Sequence, residues 1–255
     1  HQHNDKLHLS VAAYGRDFLV DAGRFAYTGE TAQKFRPYAK GTAGHNLILI
    51  NGKGQAPGPK LAKAAVNNTH FKITEDFDYA TNSFSDFLDT NGDVTHQRAL
   101  FYVRGEFWVV VDRIITDQPR KIDALWHWNP TCLVEINNAM VKTNDENGNF
   151  AVIPVSKQKF DISLIKGQEE PEIQGWYSKE YNIYEPNIAS TFSTNIEGNS
   201  TIIWLLFPSE KELPKIKTKI LKENEEQVTI EVKSDSKAWQ VQVPYFDSKK
   251  ATLIH

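Results

Sequence analysis

The chain has 255 residues and a formal net charge of −3 at pH 7, from 29 basic and 32 acidic side chains. This balance disfavours nucleic-acid binders and polybasic membrane-surface proteins, which carry an excess of Lys and Arg. Hydrophobic residues make up 40% and charged residues 24%, values typical of a folded globular domain. The single cysteine, Cys132, excludes an internal disulfide framework and a multi-cysteine zinc site.

The sequence as given predicts no targeting signal and no membrane-spanning segment. No apolar run approaches the roughly 18 residues that a membrane-spanning helix needs, and no apolar leader opens the sequence. The first residue is His1 rather than Met, so we expect the chain to begin inside a longer protein. No flexible linker divides it, and we therefore expect one large domain over residues 1–255.

A period of two residues dominates the start of the chain. Leu7, Leu9, Val11 and Ala13 alternate with more polar residues, which predicts a strand with one apolar face. Residues 14–17 read as a tight turn, and a second strand over 18–20 ends at Asp21.

Further strands are predicted from short apolar runs that are bounded by turn residues and rich in Val, Ile, Thr and aromatics. Helical periodicity is scarce, although residues 60–65 fit either a short helix or a loop. Residues 211–227 are expected to form a solvated β-ribbon with turns. These features predict an all-β fold, a large antiparallel β-sandwich of stacked sheets. The predicted later strands are 47–50, 101–103, 107–111, 124–128, 133–136, 150–155, 160–165, 201–207, 228–232 and 239–243.

Histidines and carboxylates stand at the ends of the first predicted strands. On a strand, His1, His3 and Asp5 would share the face that continues into the core. His3, Asp21 and His45 each lie at a strand terminus, and two imidazoles with one carboxylate suit Zn²⁺. The alternative is that these histidines are hydrogen-bonded inside the sheet without a metal.

Two other functions remain open at this point. His3, Asp5 and His45 also fit the two-His, one-carboxylate ligand set of non-haem iron oxygenases. A β-sandwich rich in aromatics could instead be a non-catalytic carbohydrate-binding module. In that case Trp126-His127-Trp128 could stack on a sugar ring, although such a run is more often an ordinary strand.

Several motifs in order resemble the heparinase II/III-like polysaccharide lyases. They are sharp over residues 1–55 and looser over 95–190. The motifs are His1-Gln2-His3-Asn4-Asp5-Lys6-Leu7, Asp21-Ala22-Gly23, Gly44-His45-Asn46 with Asn51-Gly52, Gln97-Arg98-Ala99, Val111-Asp112-Arg113, Gly175-Trp176-Tyr177-Ser178 and Glu185-Pro186.

The resemblance implies that the chain is the C-terminal antiparallel β-sheet module of such a lyase. The N-terminal α/α-toroid of the family would then be missing from this chain, together with the catalytic groups it supplies. The resemblance also implies a structural Zn²⁺ on His3, Asp21 and His45 and a catalytic, substrate-facing role for His1.

The expected substrate is a polysaccharide that contains uronic acid, such as heparan sulfate or an alginate-like chain. Some relatives carry a Tyr between the zinc Asp and the zinc His, where this sequence has Phe35 and, three residues later, Tyr38. Arg24, Arg36 and Tyr38 are therefore the expected substrate-binding residues, since arginine presents a planar fork to carboxylate or sulfate. The resemblance further implies a periplasmic or secreted bacterial protein with no nucleic-acid or membrane partner.

Overall fold

A computed structural model describes residues 2–58, 67–235 and 237–255 of the chain. The described residues form five β-sheets with antiparallel strand pairing and one α-helix, which confirms the all-β prediction. The predicted helix or loop at residues 60–65 lies outside the described ranges. Within these ranges no helix has the length and apolar character needed to cross a membrane.

The elements are numbered in chain order. The helix is α1 (Gly29–Lys40). The first ten strands are β1 (Val11–Ala13), β2 (Arg16–Leu19), β3 (Ile48–Ile50), β4 (Phe71–Ile73), β5 (Phe77–Phe84), β6 (Val94–Val103), β7 (Phe107–Thr116), β8 (Arg120–His127), β9 (Val134–Asn137) and β10 (Met140–Thr143). The other ten are β11 (Asn149–Pro154), β12 (Asp161–Lys166), β13 (Trp176–Glu180), β14 (Ile183–Pro186), β15 (Ile188–Ile196), β16 (Ser200–Ser209), β17 (Ile216–Glu223), β18 (Gln227–Ser234), β19 (Lys237–Pro244) and β20 (Thr252–Ile254).

A central sheet of eight strands, in the order β4-β5-β6-β7-β16-β11-β10-β9, is buried on both faces. Val110 and Ile114 of β7 pack on one side with the sheet β12-β15-β8-β3, whereas Val109 and Val111 pack on the other with the sheet β17-β18-β19-β20. Burial of both faces explains why β7 is a continuous apolar run rather than an alternating one. The predicted stacking of sheets is confirmed, with three layers.

The predicted strand over residues 7–13 is correct only from Val11 onward. Residues 2–10 form turns and extended loop, and Leu7 has a φ of 74°. Distant side chains explain the difference, because Arg98 Nη1 donates to Leu7 O at 2.9 Å and Asn46 Nδ2 donates to Leu9 O at 2.9 Å. These backbone carbonyls are thus satisfied by side chains instead of a neighbouring strand.

Helix α1 was not expected, because its sequence has few apolar residues and contains Pro37. Its buried residues Ala32, Phe35 and Tyr38 recur at the i, i+3 spacing of one helical face. The helix ends at Lys40 and is capped by Gly41, whose N–H donates to the carbonyls of Pro37 and Tyr38. Packing of this face against Phe25 and the rest of a small satellite core compensates for the weak helical propensity.

Candidate metal centre

The side chains of four residues converge beside the N-terminal segment, and their ligand atoms all lie within 4.8 Å of one another. His3 and Asp5 come from the loop before β1, Asp21 follows β2, and His45 follows the short turn Thr42–Gly44. The structure therefore brings the three residues predicted as zinc ligands together. It adds Asp5, which the sequence assigned only to the alternative iron site.

The hydrogen bonds of His45 show which of its nitrogens is free to bind a cation. Its Nδ1 lies 2.7 Å from the carbonyl oxygen of Gly41, so Nδ1 carries a proton and donates it. Its Nε2 is buried, and the polar atom that faces it is Asp21 Oδ2 at 3.1 Å. A lone pair on this nitrogen would face a carboxylate oxygen. The arrangement therefore requires a cation between them, either a proton on His45 or a metal ion.

The electrostatics of the same pair favour positive charge at this point. Burial opposes a charged imidazole, but the hydrogen bond and charge of Asp21 raise the pKa of His45 above its ordinary value. Burial likewise works against an ionised Asp21, yet His45 and the N–H of Gly23 lower the pKa of this carboxyl to about 2. Asp21 is therefore ionised at neutral pH, which is the state that a metal ligand needs.

The four side chains fit Zn²⁺ better than a hard cation. Two imidazole nitrogens and two carboxylates would complete a tetrahedral, closed site, which is typical of structural zinc. Ca²⁺ and Mg²⁺ prefer oxygen ligands only. The carbonyl of Gly41 orients the ring of His45. The N–H of Gly23 donates to Asp21 Oδ1 at 2.7 Å and orients that carboxylate. His3, Asp5 and His45 within this set are also the ligands of the iron alternative.

Arg98 supports the centre from the core and was given no role by the sequence. Its Nη1 donates to Leu7 O at 2.9 Å and to Asn46 O at 2.6 Å, on the two segments that carry His3 and His45. The guanidinium is also paired with buried Asp112 at 2.7 Å. The sequence contained a signal for this buried ion pair, because Arg98 and Asp112 are charged residues inside apolar runs. They lie opposite each other in the β6–β7 hairpin.

His8 is a second residue that sequence reasoning missed. Its Nδ1 accepts from the N–H of Asn46 at 3.0 Å, and its ring lies 5.3 Å from the ring of His45. Burial is the main cause that lowers the pKa of His8 to about 3, with the charge of His45 acting in the same direction. His8 is therefore a neutral acceptor that holds the backbone next to His45.

A cavity of about 750 Å³ lies beside the centre and is lined by Gln2, Asn4, Lys40 and Gly41, among others. It shares walls with the centre, because Asn4 lies between His3 and Asp5 and Gly41 is bonded to His45. Its volume is in the range of ligand-binding clefts. His1, the predicted catalytic residue, lies outside the described residues, and its role stays a prediction.

The predicted substrate-binding residues lie in different environments. Arg24 is exposed and Arg36 is half-buried at the surface. Tyr38 is buried, its hydroxyl donates to Gln174 Oε1 at 3.0 Å, and burial raises its pKa well above the ordinary value. The structure thus gives Tyr38 a packing role and argues against substrate contact. Stacking of sugar on Trp126–Trp128 is likewise wrong, because both rings are fully buried.

Comparison with known proteins identifies the family. The family model described as "Heparinase II/III-like, C-terminal" matches residues 1–242. The chain belongs to this family. Heparin-sulfate lyases of Pedobacter heparinus and Bacteroides stercoris are each 21% identical to it, over 88% of this chain and 32% of theirs.

Solved structures agree with the fold. The crystal structure of the heparan sulfate lyase of Pedobacter heparinus superposes with a TM-score of 0.78 and 18% identity, covering 96% of this chain and 37% of that one. A solved heparinase III gives a TM-score of 0.74 and 18% identity over 95% of this chain and 36% of its own. The chain thus spans about a third of the length of these relatives.

Proposed function

We propose that the chain is the C-terminal β domain of a polysaccharide lyase that cleaves a uronic-acid-containing polysaccharide, such as a glycosaminoglycan or an alginate-like chain, by β-elimination. The observation that carries this proposal is the cluster of His3, Asp5, Asp21 and His45 beside a cleft, in a member of the heparinase II/III-like family. An N-terminal α/α-toroid is the proposed partner that completes the cleft. A periplasmic or secreted location is proposed from substrate size, and cell fractionation checks it.

The chemistry of β-elimination explains the need for polar and cationic groups. The proton at C5 of a uronate is weakly acidic while the neighbouring carboxylate keeps its charge. Groups that neutralise this carboxylate stabilise the enolate-like intermediate, and a base removes the proton. His1 would neutralise the carboxylate or move the proton. Lys40, in the cleft wall, supplies a positive charge that can help to hold the anionic chain.

A structural zinc ion is part of the proposal. His3, Asp5, Asp21 and His45 would hold it, and it would tie the N-terminal loop to the segments after β2 and before β3. Its contribution would be to folding free energy, because the unfolded chain lacks the assembled site. The described residues would position His1 at the cleft rather than carry the reaction alone.

The test uses the parent lyase, with the unsaturated uronate product followed by absorbance and zinc measured after purification without chelator. We expect about one zinc per chain. His45→Ala should release the ion and lower the melting temperature. His1→Ala should leave zinc and melting unchanged and reduce turnover at least tenfold, because its contacts strengthen in the transition state.

His70→Ala is the matched control, since His70 lies in a separate partly exposed turn. Full zinc content in His45→Ala would refute the metal proposal. Iron in place of zinc, with oxygen consumption, would favour the oxygenase. Polysaccharide binding without an unsaturated product would favour the carbohydrate-binding module.

A further inference from the structure

A second polar surface lies away from the metal centre, where the segment before α1 meets the β13–β14 hairpin. It consists of four residues, called here the arginine–tyrosine surface. Two tyrosine rings lie side by side in it, with centroids 6.0 Å apart, and these tyrosines are 42% and 45% exposed. The members are Arg24, Tyr27, Arg36 and Tyr181.

The two guanidinium groups of this surface contact the rings. Arg24 lies 5.9 Å from the centroid of Tyr27 and 5.7 Å from that of Tyr181, and Arg36 lies 5.1 Å from that of Tyr27. These distances are within the range of cation–π contacts. The rings therefore hold the charged groups in place at the surface without neutralising them.

Arg24 and Arg36 differ from the other arginines in having no carboxylate partner. Five of the seven arginines in the sequence form an ion pair in the described part of the chain, and these two do not. Two unpaired guanidinium forks on a fixed base are suited to bind a carboxylate or a sulfate. The five paired arginines are Arg16, Arg98, Arg104, Arg113 and Arg120.

The backbone beneath the surface is fixed by close contacts. The N–H of Asn182, at the hairpin tip, donates to Phe25 O at 2.6 Å, and the N–H of Ser178 donates to Ala22 O at 2.9 Å. Tyr184 packs on Phe35 at 4.6 Å between centroids. The exposed rings thus stand on a rigid base, which reduces the entropy lost on binding a ligand.

The surface is also connected to the metal centre. A groove of about 390 Å³ is lined by Asp21 and Gly23 on one side and by Tyr177 and Lys179 of β13 on the other. Asp21 is a proposed zinc ligand, and Lys179 lies two residues before Tyr181. The groove therefore lies between a proposed zinc ligand and the strand that leads to Tyr181.

We propose that the arginine–tyrosine surface is a binding subsite for an acidic sugar residue of a polysaccharide. A sugar ring stacks on Tyr27 or Tyr181, and the guanidinium groups bind its carboxylate or sulfate. This inference rests on the proposed function for the choice of ligand. Glu30 and Glu180 lie on the same elements, so affinity comes from local contacts rather than a broad positive field, and its salt dependence is modest.

The test is calorimetric titration of this chain with three probes: a sulfated heparan tetrasaccharide, an unsulfated glucuronate oligosaccharide and a neutral cello-oligosaccharide. We expect Tyr181→Ala to raise the Kd of both acidic probes about tenfold by loss of stacking. The double variant Arg24→Gln/Arg36→Gln should raise the Kd of both acidic probes at least tenfold, because it loses charge-assisted hydrogen bonds. The Kd of the neutral probe should change little. A preference for the sulfated or the unsulfated probe identifies which anion the forks bind.

Tyr14→Ala and Arg104→Gln are the matched controls, because Tyr14 is 51% exposed elsewhere and Arg104 is paired with Asp78. Unchanged affinity in the surface variants overturns the subsite, as does equal loss for the neutral probe. Unchanged affinity together with greater protease sensitivity of the parent lyase would instead identify a contact between domains. The two proposals fail in different measurements. Absence of the unsaturated product refutes the lyase proposal, whereas unchanged affinity in the calorimetric titration refutes the subsite.

Discussion

Asp112 anchors a buried hydrogen-bond network in the core beneath the metal centre. It is fully buried and its two oxygens accept four hydrogen bonds. Burial opposes its charge, but the neighbouring Arg98 and His96 hold the pKa of this carboxyl well below its usual range. Trp204 completes the set with its indole N–H at 2.9 Å. A buried carboxylate with this many donors is costly to replace by a neutral group.

Asp112→Asn should lower the free energy of unfolding by about 3–5 kcal/mol, because it leaves Arg98 buried without its counter-charge. Urea unfolding near neutral pH measures the change. Asp78→Asn is the control, since Asp78 pairs with an Arg104 that is 43% exposed, and it should cost less than about 1 kcal/mol. Similar losses in the two variants would show that the buried network contributes no more than a surface ion pair.

At the scale of elements, the β13–β14 hairpin is attached to the chain after β2 through Gly23. This glycine has a φ of 85°, and a Cβ added there would lie 2.0 Å from Ser178 O. Only a residue without a side chain allows the two backbones to approach so closely. The same contact holds Asp21 and Tyr177 on their respective sides of the groove.

Gly23→Ala should therefore displace the hairpin and lower the free energy of unfolding by roughly 2–4 kcal/mol. Gly15→Ala separates the two causes, because Gly15 also has a positive φ, 73°, but nothing lies within 4 Å of its added Cβ. That control should cost about 1 kcal/mol. Equal destabilisation by both substitutions, measured by thermal and urea unfolding, would mean that the contact with Ser178 is not limiting.

The sequence predicted elements that are governed by local pattern and missed those governed by distant partners. The β6–β7 hairpin follows from its apolar runs around Arg104-Gly105-Glu106, and it is present. The strand at residues 7–10 is absent because distant side chains, Arg98 and Asn46, bind its backbone carbonyls. Helix α1 was missed because packing outweighs Pro37. Ordered motifs indicated that His3, Asp21 and His45 would meet, but no local signal placed the side chain of Asp5 beside them. The pair of Arg98 and Asp112 inside apolar runs was a signal that the sequence reasoning left without a role.

At the scale of the whole molecule, buried histidines make folding sensitive to acid. Burial lowers the pKa of His3, His8, His96 and His127, in the case of His127 to about 4. His45 has the opposite sign because Asp21 raises its pKa. Four histidines have a lowered pKa in the folded chain and one has a raised pKa. The unfolded chain therefore binds more protons than the folded chain below the ordinary histidine pKa of about 6.5.

The stability of the chain should therefore fall as the pH drops from about 6.5 toward 4, and fall again below about 4 as Asp112 is protonated in the unfolded state. His127 alone, with its folded pKa of about 4, should account for roughly 2–3 kcal/mol of the first loss. His127→Gln keeps an amide donor that can reach Gln174, the partner of His127 Nε2 at 3.0 Å, and removes the titrating ring. Urea unfolding at about pH 7 and about pH 5 should show a smaller difference in the free energy of unfolding in this variant than in the unaltered chain.

A chelator in all samples prevents acid release of a metal from contributing to the difference. Equal losses in the two proteins would mean that protonation of His127 does not drive the acid response.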